Sequence, residues 1–434
     1  MNTQNHYDYI IIGGGPAGMT AAIAAARRGL SVLLLEQNPM LGKKLRITGK
    51  GRCNITNACD FNTLMANIPG NSRFLYSAFH QFSNFDLIQF MHEIGVETVT
   101  ERGGRVFPAS GRAFDVAEAL RRRAAAEKVR ISCGMRVTEL VIERDLSSDK
   151  AENESARVSG VRLANQKVLQ ASHVVIATGG ITYPATGSTG DGYRFAQQAG
   201  HTIIPPRPAL SGLLSPDSFI RDLEGLSLRN IAIVLYSDQA QSTICYRDFG
   251  EMLFTGSGIS GPVILSCSRH LPPPPAKPVL CIDLKPALSP EKTEERLQRD
   301  FSKYDRKYFI HALDDLLPKR LIPVFVAATE IPSQKQVNQI TKEERKKITA
   351  LLKGFPIHIS GTAPVSEAII TAGGVCVKEI NPKTMESKRC AGLYFAGEVL
   401  DTDGYTGGYN LTIAFSTGWA AGGGQRFSAR AAGR

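Results

Sequence analysis

Residues 10–36 read IIIGGGPAGMTAAIAAARRGLSVLLLE, and this stretch decides the fold. Its pattern predicts a β-strand, a glycine turn, a helix and a second strand that ends on an acid. Gly13, Gly15 and Gly18 fill the three glycine positions of G-x-G-x-x-G. The first permits the tight turn, the second lets backbone approach a pyrophosphate, and the third lets the helix pack closely on the strand. The stretch therefore predicts a dinucleotide site in a Rossmann-like α/β domain.

The predicted helix and the strand after it supply the polar groups of that site. Pro16 suits the first helical position and Ala17 follows it, in a turn whose N–H groups and positive dipole end favour a diphosphate. Glu36 ends the second strand, where its carboxylate can accept hydrogen bonds from both hydroxyls of an adenosine ribose. An adenosine without a 2′-phosphate is therefore expected. These residues alone leave NAD and FAD as alternatives.

Length and composition limit the class of protein. A chain of 434 residues is too long for one ordinary core, so two or three domains are expected. No apolar run of about 18 residues occurs, and the start MNTQNHYDY lacks the order of a signal peptide, so a cytoplasmic protein without a membrane segment is expected. The eight cysteines include no C-x-x-C pair. Disulfide redox chemistry and a zinc site are therefore not expected, nor any other metal.

Basic residues clearly outnumber acidic ones in this chain. A net charge of +11 and a sequence pI near 9.3 point to a polyanion partner. Basic residues cluster within 43–52, which contains no acid, and again at 121–123. A third group at 342–353 is diluted by Glu343 and Glu344 and predicts an exposed helix face.

A second strand-and-turn signal lies at residues 173–193, HVVIATGGITYPATGSTGDGY. Before it, residues 129–145, 159–163 and 167–171 read as short strands and predict a β-meander. A meander followed by ATGG is how FAD-binding domains of the glutathione-reductase type return the chain to the flavin. Thr178 and Gly179 are therefore predicted cofactor contacts.

The end of the chain returns to the pattern of a nucleotide site. Residues 393–410 give a strand, an acid and a glycine-rich turn, and a final helix follows. In FAD enzymes such a segment carries the flavin half of the cofactor: the acid bonds the ribityl chain, and the helix start faces the edge of the flavin where negative charge develops. This segment decides for FAD. Its predicted cofactor contacts are Gly397, Glu398, Gly407, Gly408, Tyr409 and Asn410.

With these segments assigned, the chain resembles the bacterial BaiN/RdsA family of NAD(P)/FAD-dependent oxidoreductases over nearly its whole length. The motifs that carry the resemblance, besides GGGPAG at 13–18, are GKKLRITGKGRCNITN (42–57), GRVFPASGRA (104–113), PATGSTGDGY (184–193), GEMLFTGSGISGP (250–262), SGTAP (360–364), ITAGGV (370–375) and FAGEVLDTDGYTGGYN (395–410). One departure is visible, because Gly256 stands where relatives commonly carry a histidine. Any substrate role of that histidine is not transferred.

The resemblance implies an α/β fold with a FAD-binding Rossmann-like domain of the glutathione-reductase type, an inserted β-barrel-like domain and a small helical subdomain. The predicted boundaries are 1–204 and 367–434 for the FAD-binding domain, 205–288 for the β-rich insertion, 289–353 for the helical subdomain and 354–366 for the return of the insertion. Members of the family are assigned as ribosomal RNA dihydrouridine synthases that use NADH. Others are linked to reduction of bile-acid enones or oxidation of aminoacetone.

Reduction of uracil requires a hydride at C6 and a proton at C5, together with groups that hold the RNA phosphates. The loop 43–57 can supply the proton donor and the groups that hold the RNA phosphates. Cys53 is one predicted proton donor, with Tyr405 and Tyr409 as alternatives, and plain packing of each side chain is equally open. The predicted RNA phosphate contacts are Lys43, Arg46 and Lys50. The predicted cofactor contacts in the same loop are Lys44, Thr48, Gly49, Gly51, Arg52 and Asn54.

Three functions follow from these observations. The first is an RNA-modifying reductase that acts on 23S ribosomal RNA, supported by the charge and the basic loop. The second is a small-molecule reductase or oxidase in which the basic loop only neutralises the FAD diphosphate, and the third is a flavin-binding protein without turnover. No second G-x-G-x-x-G of the kind that builds a stable NADH domain is visible, so NADH or NADPH is expected to dock transiently. The oligomeric state is left open.

Overall fold

The computed structural model describes residues 6–144 and 156–427. The chain forms two compact units, of which one comprises the residues up to Pro208 and those from Ala368 onward, and the other Ala209–Glu367. Residues 1–5, at the N-terminus where no signal peptide is predicted, lie outside the described residues. So does Asp145, the last residue of the first predicted meander segment. No helix within the described ranges is long and apolar enough to span a membrane.

The helices of the described chain are α1 (Pro16–Ala26), α2 (Phe61–Ala66), α3 (Tyr76–Gln81), α4 (Asn84–Glu93), α5 (Ala113–Ala126), α6 (Asp191–Gln198), α7 (Pro262–Ser268), α8 (Pro290–Lys303), α9 (Ile322–Thr329), α10 (Lys342–Lys353) and α11 (Tyr409–Ala421). The strands of the first third of the chain are β1 (His6–Ile12), β2 (Val32–Glu36), β3 (Thr56–Asn57), β4 (Thr98–Thr100), β5 (Arg105–Pro108) and β6 (Arg130–Cys133). Those that follow are β7 (Val137–Arg144), β8 (Ala156–Leu163), β9 (Val168–Ile176), β10 (Ile203–Ala209), β11 (Leu213–Leu214), β12 (Ser227–Tyr236), β13 (Ile244–Thr255) and β14 (Gly258–Ser260). The last are β15 (Val279–Asp283), β16 (Phe355–His358), β17 (Gly361–Thr362), β18 (Ile370–Val375), β19 (Cys390–Ala391) and β20 (Leu393–Phe395).

The first unit is built on a parallel sheet in the order β6, β2, β1, β9 and β20. Helix α1 connects β1 to β2, which is the βαβ unit that the opening motif predicts. The antiparallel meander consists of β7, β8 and the first half of β9. The prediction that all of residues 129–145 belong to the meander is wrong for 130–133, because β6 pairs with β2 in parallel and is the third strand of the Rossmann sheet.

Two glycines let the first and last helices of this unit pack in close contact. A Cβ on Gly418 in α11 would overlap the carbonyl oxygen of Ala17 in α1, and a Cβ on Gly422 would overlap that of Ala21. Such an approach is possible only where no side chain intervenes. The N-terminal dinucleotide motif and the C-terminal helix are therefore parts of one layer.

The second unit contains an antiparallel sheet in the order β16, β15, β12, β13, β14, β11 and β17. The segment 355–363 joins the two ends of this order, because its first half pairs with β15 and its second half with β11. The sheet therefore closes on itself in the manner of a barrel. Helices α8, α9 and α10 pack on it, and Leu297, Phe325 and Ile348 share one buried cluster with Ile233 of β12.

Candidate functional site

The three glycines of the opening motif have different surroundings. Gly13 has φ +107° and leaves no room for a side chain beside the carbonyl of Ala177. A Cβ on Gly18 would overlap the carbonyl oxygen of Gly13. At Gly15, by contrast, no described heavy atom lies within 4 Å of the position of a Cβ. Gly13 and Gly18 are thus required by packing, whereas Gly15 leaves open space at the start of α1.

The start of α1 has the properties of an anion site. Gly15 is the N-cap with extended backbone, Pro16 follows as the first helical residue, and no side chain of the described chain caps this end. The N–H groups of the first turn and the helix dipole therefore point toward the open space at Gly15. A diphosphate fits this arrangement in size and charge.

Glu36 at the end of β2 is held by the glycine turn itself. Its carboxylate is buried and accepts a hydrogen bond from the backbone N–H of Gly14 at 2.7 Å. Its other oxygen accepts from the backbone and side-chain nitrogens of Asn38, at 2.8 and 2.7 Å. The carboxylate is therefore fixed beside the turn, and with three of its roughly four lone-pair sites in use it can accept one further hydrogen bond, as from a ribose hydroxyl.

Glu398 occupies the corresponding position after β20, where it forms an ion pair with Lys44. The two Glu398 oxygens lie 3.0 and 2.8 Å from Nζ of Lys44. Oε1 also accepts from the backbone N–H of Thr371 at 2.9 Å and from the hydroxyl of Thr182 at 3.1 Å. Both charged side chains are 21% exposed. This cluster joins four segments of the first unit that are distant in sequence.

The loop after Gly42 has an unusual backbone. Gly49, Lys50, Gly51 and Cys53 all have positive φ, at 56°, 57°, 85° and 61°. Thr48 interrupts the local helical turn with extended geometry. The N–H groups of Arg52 and Cys53 donate to the carbonyls of Gly49 and Thr48, at 3.2 and 3.0 Å, so the loop is closed by its own backbone hydrogen bonds.

Polar side chains tie this loop to the C-terminal turn. With its amide oriented to satisfy its hydrogen bonds, Asn54 accepts from the N–H of Gly408 at 3.1 Å and donates to the carbonyls of Thr56 and Val106. The hydroxyls of Thr56 and Thr412 lie 2.7 Å apart. The GKGRCN motif and the start of α11 are therefore one structural unit. Around the same start, Gly407 and Gly408 have φ of +126° and +100°, and Asn410 accepts from the N–H of Gly404 at 2.8 Å.

Thr178 and Gly179 follow β9 directly below the glycine turn. The Thr178 hydroxyl is buried and has no hydrogen-bond partner among the described residues. Gly179 has φ +74° and lies against Ser188. A buried hydroxyl without a partner carries a free-energy cost that a bound polar ligand removes. The orphaned hydroxyl, the open space at Gly15 and the fixed carboxylate of Glu36 together fit a bound dinucleotide.

The three predicted proton donors differ in exposure. Cys53 is fully buried, and burial raises the pKa of its thiol to about 12. Tyr409 is 6% exposed in a small apolar cluster with Leu64 and Phe79, and burial raises its pKa to about 12. Tyr405 is half-buried at the edge of the same cluster. Of the three, only Tyr405 has appreciable surface.

We expect Cys53 to resist alkylation in the folded protein. The thiolate is the reacting form, and a pKa near 12 leaves almost none at pH 8. Iodoacetamide at pH 8 should label the exposed Cys133 within minutes and leave Cys53 unmodified, as read by peptide mass spectrometry. In urea both should react. Native labelling of Cys53 as fast as Cys133 would show that its thiol is accessible and ionisable.

Part of the basic loop is neutralised within the protein. Lys44 pairs with Glu398, and Arg52 pairs with Glu101 at 2.5 Å while its guanidinium lies over the Phe107 ring. The predicted phosphate contacts behave differently. Lys43 and Lys50 are exposed, with Lys43 donating to the carbonyl of Ala185, and the half-buried Arg46 lies over the ring of Phe114 at 4.5 Å.

Several residues of this region were not singled out in the sequence analysis. Thr182 and Thr371 contact Glu398, Asn38 contacts Glu36, and Asn57 donates to the carbonyl of Gly407 at 3.3 Å. Thr182, Thr371 and Asn57 lie in the motifs ITYP, ITAGGV and NITN. The sequence signal that could have marked them is the glycine and threonine content beside each strand end.

Gly256, where relatives commonly carry a histidine, lies beside a carboxylate of the second unit. A Cβ on Gly256 would lie 3.1 Å from Oε2 of Glu224. No group of three or more metal-binding side chains occurs within residues 6–144 and 156–427.

Comparison with known proteins identifies the family. A family model described as the HI0933-like protein Rossmann domain matches residues 7–424. The chain belongs to the HI0933-like family. The predicted resemblance to BaiN/RdsA flavoproteins and the predicted α/β fold are thereby confirmed.

Two curated relatives of this HI0933-like chain cover it almost completely. A ribosomal RNA dihydrouridine synthase of Haemophilus influenzae is 30% identical over 96% of this chain and 98% of its own length. A 3-dehydro-bile acid delta(4,6)-reductase of Clostridium scindens is 32% identical over 95% of this chain and 97% of its own. The chain is therefore a member of a flavin-dependent oxidoreductase family, and this membership supports FAD as its cofactor.

A solved structure shows the same fold at low identity. The 3-ketosteroid delta1-dehydrogenase from Sterolibacterium denitrificans superimposes with a TM-score of 0.50, at 14% identity, over 96% of this chain and 99% of that one. At this identity the likeness concerns the fold alone.

Proposed function

We propose that the protein is a FAD-dependent oxidoreductase that reduces uridine to dihydrouridine in 23S ribosomal RNA with NADH or NADPH. The observation that carries the proposal is the near full-length similarity to relatives named ribosomal RNA dihydrouridine synthase, from Haemophilus influenzae and, at 28% identity, from Escherichia coli. The net charge of +11 supports a polyanionic substrate. Such a substrate implies that the enzyme works in the cytoplasm.

The residues that would hold FAD lie at both ends of the chain. The diphosphate would lie at Gly15, Pro16, Ala17 and the first turn of α1, and the ribose at Glu36. Groups near the flavin half would come from the loop 44–54, from Thr178 and Gly179, and from the turn before α11. FAD held by these residues would supply hydride transfer from the nicotinamide to the substrate double bond.

The protein must then deliver the proton that completes the reduction. Its donor has to reach C5 of the base, which is difficult for a side chain without exposed surface. Cys53 and Tyr409 are buried, whereas Tyr405 retains exposed surface beside the C-terminal turn. We therefore favour Tyr405 as the donor, with Cys53 and Tyr409 supporting the shape of the site.

The cations of the loop divide into two groups under this proposal. Lys44 and Arg52 hold the loop in place through their ion pairs with Glu398 and Glu101. Lys43, Arg46 and Lys50 remain for RNA phosphates.

The proposal predicts that deleting the gene removes a dihydrouridine from 23S rRNA. Mass spectrometry of nucleosides from purified large-subunit rRNA would measure the loss. Expression of the wild-type gene should restore the modification, and expression of the Gly15→Val variant should not. Unchanged dihydrouridine in the deletion strain would overturn the proposal.

A second function is favoured by the relative from Clostridium scindens, which is named a 3-dehydro-bile acid delta(4,6)-reductase. Under that function the substrate would be a small enone, and the basic loop would serve only the cofactor. Purified protein, NADH and an unsaturated 3-oxo bile acid should then give turnover that is insensitive to salt. An RNA substrate should instead bind much more weakly as salt rises.

A further inference from the structure

We propose that α5 and the loop beside it form an RNA-binding surface, which we call the α5 face. This inference rests on the proposed function and locates part of the RNA contact. The α5 face comprises Met40, Lys43, Arg46, Ile47, Lys50, Arg112, Phe114, Arg121 and Arg122. Its two segments are in contact, because a Cβ on Gly42 would lie 3.1 Å from the Cβ of Ala117 in α5.

Helical spacing places the relevant side chains of α5 on one side. Val116, Ala117 and Leu120 are buried against the core. Phe114 and Arg121 are two turns apart and both exposed, and Arg122 is exposed beside them. The next residue, Arg123, turns inward and pairs with Glu93 at 2.6 Å. The arginine triplet is therefore divided between a structural residue and two surface residues.

The exposed aromatic ring has no role in the core. Phe114 is 55% exposed, and the Arg46 guanidinium lies 4.5 Å from its ring centre. Ile47 and Met40 are 46% and 47% exposed. An exposed aromatic ring stacked on arginine is the type of platform on which unpaired bases stack.

Charge complementarity favours RNA as the partner. Within residues 38–52 and 110–123 the only acids are Asp115 and Glu118, and these pair with Arg112 and Arg121. Lys44, Arg52 and Arg123 pair with acids outside these segments. Lys43, Arg46, Lys50 and Arg122 then remain as a surplus of positive charge. A polyanion of fixed phosphate spacing fits this surplus, and single-stranded regions of RNA would also supply bases for Phe114.

Two variants test the α5 face. We expect Phe114→Ala to weaken binding of a deproteinised 23S rRNA transcript by at least about fivefold, because loss of one base stack has that effect. For Lys50→Gln/Arg122→Gln, which removes two cations of the surplus, we expect the slope of log Kd against log salt to fall in magnitude by about 1.4 to 1.8. Matched controls are Phe85→Ala, whose ring is 54% exposed on α4, and Lys342→Gln/Lys346→Gln on the exposed face of α10. Neither control should change binding beyond error.

The readouts separate the α5 face from the proposed function. Each variant is purified with its FAD, its melting temperature is compared with wild type, and each gene is returned to the deletion strain for measurement of dihydrouridine. If wild type restores dihydrouridine while both α5 variants bind RNA like wild type, the α5 face is wrong and the function stands. If wild type restores none, the function itself fails. Binding of the wild type, lost in Phe114→Ala, to vesicles containing phosphatidylglycerol but not to RNA would identify a membrane contact and overturn the proposal.

Discussion

The Gly15→Val variant is expected to fold and to lose its FAD. Gly15 has extended backbone, with φ −78° and ψ −177°, which a β-branched residue adopts readily. Apart from its two chain neighbours, no described residue has a heavy atom within 4 Å of its Cβ position, so a Cβ there is accommodated without a clash. It would fill the space that a diphosphate needs in order to reach the start of α1. The effect should fall on the cofactor and leave the fold intact.

The measurements for this variant are the flavin absorbance of the purified protein and the melting temperature of the apoprotein. We expect the Kd for FAD to rise at least about tenfold, which corresponds to about 1.4 kcal/mol of binding free energy, and the flavin content after dialysis to fall. Circular dichroism of the apoproteins should give melting temperatures within a few degrees of each other. A variant that keeps its full complement of FAD would show that the diphosphate does not approach Gly15.

Gly18→Ala is the matched comparison, since it adds a smaller side chain at a neighbouring glycine. Its Cβ would overlap the carbonyl oxygen of Gly13, so the helix and the turn have to move apart. Overpacking of this kind costs about 1–3 kcal/mol, and here the obstacle is backbone. We expect a lower melting temperature for the apoprotein itself. A Gly18→Ala protein that melts like wild type would contradict the close packing of α1 on the turn.

The features that the sequence predicted correctly are those fixed by local chemistry. The G-x-G-x-x-G turn, the helix at Pro16 and the strand that ends at Glu36 each depend on residues that are close in the chain. The strand and acid near Leu393 were predictable for the same reason. Residues 130–133 were assigned to the wrong part of the sheet because the alternation of a strand does not reveal its partner.

The features that could not be predicted depend on contacts between distant segments. Nothing in the sequence near Lys44 indicates that its ammonium pairs with a carboxylate more than 350 residues later. The hydrogen bond from the backbone N–H of Thr371 to Glu398 could not be predicted either, because every residue other than proline carries such a group. The position of α5 beside the basic loop is also a result of the tertiary fold, so the two basic groups of the sequence could not be combined into one surface.

The second large effect is expected from Glu398→Ala. Its carboxylate is the acceptor for Lys44, Thr182 and the backbone N–H of Thr371. Removal leaves a half-buried ammonium and a backbone N–H without this acceptor. Leaving one member of a buried pair uncompensated costs about 3–5 kcal/mol, and we expect about 2–3 kcal/mol here because both side chains are 21% exposed.

Urea unfolding of the apoproteins would measure this loss as a lower midpoint at unchanged slope. Glu251→Ala is the matched control, because Glu251 is 61% exposed and its contact to Arg229 is 4.0 Å. Such surface pairs contribute little, so its unfolding curve should match wild type. An unchanged midpoint in Glu398→Ala would mean that the four segments are held together without this carboxylate.

The double variant Lys44→Met/Glu398→Gln distinguishes an ion pair from a general need for bulk. If the charges stabilise one another, the double variant should lose less free energy of unfolding than the Lys44→Met and Glu398→Gln single variants lose together. The difference should be about 1 kcal/mol or more. Glutamine keeps an acceptor for Thr371, so the backbone hydrogen bond survives while the charge is removed. Measuring the bound flavin of the same variants distinguishes an effect on stability from an effect on FAD binding. Loss of FAD in a Glu398→Gln single variant that folds normally would assign Glu398 a direct contact to the cofactor. Retained FAD in that variant would limit Glu398 to holding the loop 42–57 against the C-terminal turn.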